Sequence, residues 1–116
     1  MMLVDGDDEL IGRYALKLIN LRYLMRNNWI VYTNSISSKY EYGQSKPVDK
    51  SFLANPHRDK EALDFMNSLK TFYVSLFKKI ADKDLKNNKN KYFETDLSMK
   101  LAMLEMAGPN HVEYLP

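Results

Sequence analysis

Between residues 10 and 27 apolar side chains recur every three or four positions, at Leu10, Tyr14, Leu18, Leu21 and Met25, with Lys17, Asn20 and Arg22 between them. That period predicts an amphipathic helix. Asp7 or Asp8 stands where an N-cap would accept unpaired backbone N–H groups, and Asp8 and Glu9 suit the positive end of the helix dipole. Arg-Asn-Asn at 26–28 ends the pattern. WIVYTN at 29–34, aromatic and β-branched, predicts a strand.

Before the helix, MMLV at 1–4 predicts a short strand of the all-apolar kind that is buried on both faces of a mostly parallel sheet, and such a strand needs a neighbour on each side. After the second strand, residues 35–60 hold Ser, Gly, Pro, Asn and charge with no sustained period, which predicts a long loop with a short strand or hairpin around Tyr40–Tyr42. SLKTFYVSLFKKI at 68–80 predicts a strand passing into a short helix, and ADKDLKNNKNK after it a polar surface turn. From Thr95 a second helix is expected, with Leu97, Leu101 and Leu104 on one face and Gly108-Pro109 as its stop. HVEYLP closes the chain as a strand.

A chain of 116 residues suits one domain with a modest core. With 17 basic and 15 acidic residues interleaved, bulk electrostatics make no case for nucleic acid, and KNNKNK reads as a solvated face. Cysteine is absent, which excludes disulfides and thiolate metal sites. No apolar run approaches the roughly 20 residues of a membrane helix, and no basic leader precedes one, so the default location is cytoplasmic.

The candidate chemistry begins at Asp5-Gly6-Asp7-Asp8, where the first strand runs toward the helix. Open α/β sheets place their ligand sites at the carboxyl ends of strands. Two aspartates in Asp-x-Asp spacing can converge on a hard divalent cation, magnesium or manganese, that leaves positions open for diphosphate oxygens. Helix capping within a solvated turn is the competing reading of the same four residues, and the spacing alone favours it.

Three segments shift that balance. VDGDDELIGRYALKLINLRYLMRNNWIVYTN, NSLKTFYVSLFKKI and FETDLSMKLAMLEMAG, in this order, resemble the family 2 glycosyltransferases of GT-A fold. The resemblance implies a partial GT-A-like α/β domain over residues 1–116, a mixed, mostly parallel sheet with flanking helices, without the upstream half that clasps the nucleotide. It implies inverting transfer of a sugar from a nucleotide-diphosphate donor, a UDP-sugar, to an acceptor hydroxyl. Asp5 and Asp7 would hold the metal and the donor diphosphate with Asp8 beside them, and Asp96 would be the general base. A carboxylate at a helix N-terminus is kept ionised by the dipole, as a base must be. Lys70 stands where the family often has arginine, and Ser68 where it often has histidine.

Lys70, Tyr40 and Tyr42 are the acceptor-side candidates, the two tyrosines because they sit in a polar loop and can stack on a sugar. Trp29 and Tyr32 are expected in the core. Glu105 and Glu113 are expected on a solvated helix face and a strand edge, and His57 and His111 are too far apart in sequence for a histidine metal site. The rival to an enzyme is a non-catalytic structural or protein-binding module, forming a homo-oligomer or docking through an open sheet edge at MMLV.

Overall fold

The computed structural model describes residues 1–39, 41–43, 45–56, 66, 70–92 and 97–116. It is a mixed α/β arrangement, a four-stranded sheet with helices on both faces. The strands are β1 (Met2–Leu3), β2 (Ile30–Thr33), β3 (Lys70–Phe72) and β4 (Val112–Leu115), in spatial order β1-β3-β2-β4. The helices are α1 (Ala15–Met25), α2 (Lys50–Ala54), α3 (Val74–Phe77) and α4 (Leu97–Ala107). A 3₁₀ turn covers Asp82–Leu85.

β1 and β2 both pair antiparallel with β3, and β2 pairs parallel with β4. The strands β1, β2 and β4 therefore share one direction and β3 alone is reversed. This corrects the expectation of mostly parallel pairing, because the reversed strand inserts between β1 and β2. The registers align Leu3, Lys70, Tyr32 and Tyr114 in one row across the sheet. Residues paired in this way share a face, and the next row, Met2, Thr71, Val31 and Glu113, faces the other way.

Each face has its own helical layer. Ile30, Tyr32 and Phe72 pack with Phe52 and Leu53 of α2, Leu76 of α3, and Met103, Leu104 and Ala107 of α4. Leu104 and Tyr32 are almost wholly enclosed, and a fully buried side chain of this kind contributes about 1.5–3 kcal/mol. On the opposite face α1 lies over Val31 and Thr71, where the Tyr23 hydroxyl meets Thr71 Oγ1 at 2.8 Å and Thr71 Oγ1 donates to the Val31 carbonyl at 2.9 Å. Only Ile19 of α1 is buried.

The local details revise several expectations. α1 begins at Ala15 because residues 9–14 turn through Gly12 at φ +85°, a conformation that glycine alone adopts readily. Tyr14 occupies the N-cap and makes no side-chain cap bond, so neither Asp7 nor Asp8 caps this helix. Within the expected loop, Ile36 and Tyr42 form an antiparallel bridge, and α2 follows with Asp49 accepting from Ser51 N–H at 3.1 Å as its cap. Among the described residues β1 has β3 as its one neighbour, and Met1 and Val4 at its ends are exposed, so it is an edge strand there and is not buried on both faces. No helix among the described residues is long and apolar enough to cross a membrane.

Candidate functional site

The common direction of β1, β2 and β4 puts their carboxyl ends along one edge of the sheet. Asp5 follows β1 at that edge, and Lys70, the first residue of β3, is paired with Leu3 and Tyr32 beside it. Register therefore brings Asp5 and Lys70, far apart in sequence, to the same end of the sheet.

The acidic segment folds as a turn in which Asp8 N–H donates to the Asp5 carbonyl at 3.0 Å. Asp5, Asp7, Asp8 and Glu9 are all exposed. Gly6 has open space where a side chain would start, so the turn is not crowded by its surroundings. Open water relieves the mutual repulsion of these carboxylates. Among the described residues, no three His, Cys, Asp or Glu side chains gather closely enough to cage a metal ion.

The same end of the sheet carries a fixed loop. The Tyr32 hydroxyl donates to the Lys46 carbonyl at 2.8 Å and accepts from Val48 N–H at 2.9 Å, while the Tyr114 hydroxyl donates to the Ser45 carbonyl at 2.9 Å. Burial pushes the Tyr32 phenol up to about 12, the Val48 N–H opposes that shift, and Tyr114 adds to it. Residues 45–48 are thereby pinned over the carboxyl ends of β2 and β4. Sequence reasoning assigned Tyr32 to the core but missed this second role of its hydroxyl.

Of the other candidates, Tyr42 is exposed beside its bridge to Ile36, as a stacking platform requires. Tyr40 and Asp96 lie outside the described residues, as do Ser68 and His57. Lys100, four residues after Asp96 in the sequence, is buried on the α4 stripe that includes Met103, Leu104 and Ala107, and periodicity did not single it out.

At the opposite edge Glu113 lies on the edge strand β4, as expected, and makes specific contacts there. Its side chain is mostly covered, lies 3.4 Å from the Arg22 guanidinium and accepts from the amide of buried Asn28. The β2–β4 pairing and α1 together enclose it. His111 stacks on Trp29 with centroids 4.3 Å apart and bonds through Nδ1 to the Asn27 carbonyl at 2.6 Å, a structural arrangement.

Comparison of the chain with protein-family models, with curated proteins and with solved structures finds no match.

Proposed function

We propose that this chain forms the metal and acceptor side of an inverting family 2 glycosyltransferase, moving a sugar from a UDP-sugar to an acceptor hydroxyl. One observation carries the reading: an exposed acidic turn, relieved of any capping duty toward α1, follows β1 at the carboxyl edge of the sheet. The ordered resemblance of three segments to that family supplies the reaction class.

Asp5 and Asp7 fit magnesium or manganese as hard oxygen donors, since these ions commonly take one or two carboxylates and complete their shell with phosphate oxygens and water. The bound ion would neutralise charge on the departing diphosphate. Asp96 would accept the proton of the acceptor hydroxyl as that oxygen attacks the anomeric carbon opposite the leaving diphosphate, which inverts the configuration. Lys70 and Tyr42 would position the acceptor.

Titration calorimetry of manganese with UDP tests the reading, on this chain extended by an upstream half that clasps the nucleotide. Heat is expected from the unaltered chain, and Asp5→Asn and Asp7→Asn should abolish it while changing unfolding stability by no more than about 0.5 kcal/mol, because both side chains are exposed. Asp96→Asn should keep the heat and lose turnover. No heat from the unaltered chain would overturn the assignment.

A further inference from the structure

The carboxyl edge of the sheet is electrically uneven. Asp5, Asp7, Asp8 and Glu9 follow β1 at one end of it. Toward β2 the charge reverses. Lys70 is paired with Tyr32 across the β3–β2 ladder and so shares its face of the sheet, and the Tyr32 hydroxyl donates to the Lys46 carbonyl at 2.8 Å. One tyrosine thus joins two lysines from distant segments, Lys70 beside its backbone and Lys46 at its tip. Lys46 and Lys50 are exposed and Lys70 is half-buried. Asp49 is the one acid of residues 45–54, and its carboxylate is engaged with Ser51 N–H at 3.1 Å as the cap of α2. Lys46 is also firmly rooted. Tyr32 and Tyr114 hold the carbonyls on either side of its peptide plane and its predecessor's, Val48 N–H donates to the Tyr32 hydroxyl at 2.9 Å, and Pro47 restricts the backbone of Lys46 as well as its own. A cation on a backbone fixed in this way needs less ordering to meet a ligand.

We propose that the acceptor is an anionic sugar whose carboxylate or phosphate is held by Lys46 together with Lys70, which makes Lys46 a specificity-determining residue. The proposal rests on the sugar-transfer reading and deepens it by naming the acceptor class. Hydrogen bonds from an ammonium to a carboxylate or phosphate are short and about twice as strong as neutral ones. The uneven edge also keeps two negative substrates apart. A donor diphosphate carrying its metal ion is drawn to the aspartates, whereas an anion without a metal is repelled there and attracted to the lysines. Its hydroxyl is then presented toward the donor from the β2 side of the edge.

Nitrogen-15 NMR titration of the chain with methyl glucuronide, glucose 6-phosphate and methyl glucoside tests this. At least one of the anionic sugars should bind about tenfold more tightly than the glucoside and shift the amides of Lys46, Val48 and Lys70. A response to the glucuronide alone marks a carboxylate-bearing acceptor, and a response to the phosphate alone a phosphate-bearing one. Lys46→Gln should abolish the preference and Lys46→Arg should keep it, with the rest of the spectrum unchanged because the side chain is exposed. No binding, equal affinity for the neutral glucoside, a preference that survives Lys46→Gln, or displacement of the anionic sugar by UDP would each overturn the proposal. None of these outcomes alters the heat of manganese with UDP, so the acceptor class and the sugar-transfer reading fail separately.

Discussion

The rings of Tyr32 and Tyr114 lie on the parallel strands β2 and β4 with centroids 5.2 Å apart, and their hydroxyls donate to adjacent carbonyls of one loop, Lys46 and Ser45. Side chains of the sheet thus hold a segment that makes no ladder of its own. The arrangement makes stability depend on alkaline pH. In the unfolded chain the Tyr32 phenol ionises near 10, whereas burial in the fold pushes it up to about 12. Below pH 10 both states are neutral and stability is unaffected. Between 10 and 12 the unfolded state alone loses the proton, so stability falls as pH rises, by about 2 kcal/mol over the interval.

Tyr32→Phe should therefore lower stability near neutral pH by about 1–2 kcal/mol, since the Lys46 carbonyl and Val48 N–H lose their partner. It should also make the alkaline fall shallower. Burial raises Tyr23 too, so part of the fall will persist. Urea unfolding of both chains at pH 7 and pH 11 checks this, and parallel pH profiles would contradict it.

Much of this frame is legible in the residue pattern, for identifiable reasons. Ile30–Thr33 and Val112–Leu115 are β-branched and aromatic, which suits a pleated surface, and Gly108 marks the end of α4. Periodicity also shows that Tyr14, Leu18, Leu21 and Met25 share a face. It does not say which face meets the sheet, because α1 is apolar on both sides: Ile19 and Tyr23 cover Val31 and Thr71 while the longer stripe looks outward. The start of α1 was obscured by Gly12, whose positive φ breaks the pattern that Leu10 appeared to begin. α2 has five residues, too few for a period to register. Glu113 shows a further limit of one-dimensional reading, since its cover comes from Arg22 and Asn28 on a distant segment. The candidate site was legible to the same degree. Asp5 and Lys70 could be named from motifs, but only strand register brings them to one edge.

Asn28 joins the end of α1 to β4, donating to the Arg22 carbonyl at 3.2 Å and to the Glu113 carboxylate. Asn28→Ala leaves both acceptors short of a donor and should cost about 1–3 kcal/mol. Asn28→Asp should cost more at neutral pH, because two carboxylates would then face each other with only Arg22 nearby. Repulsion raises the introduced acid above its unfolded value, so the folded state takes up a proton first as pH falls, and the loss should shrink on acidification. Thermal unfolding of both variants at pH 7 and pH 4 checks the order. An Asp variant that gains nothing on Asn28→Ala at pH 4 would contradict it.

Gly108 ends α4 at φ +66°, with its N–H donating to the Leu104 carbonyl at 2.9 Å. The turn that follows delivers His111, whose carbonyl accepts from both Trp29 N–H at 2.8 Å and Ile30 N–H at 3.1 Å, so the geometry of one residue helps set where β4 meets β2. A side chain at position 108 would find open space, and the cost of adding one is conformational with no clash. Gly108→Ala should therefore destabilise by about 1–2 kcal/mol, and Gly108→Asn by less, because asparagine visits the left-handed region more readily than alanine does. Denaturant midpoints of the three chains should rank glycine, asparagine, alanine with a constant slope. If alanine equalled glycine, the turn would not require a positive φ and the handover from α4 to β4 would have some other cause.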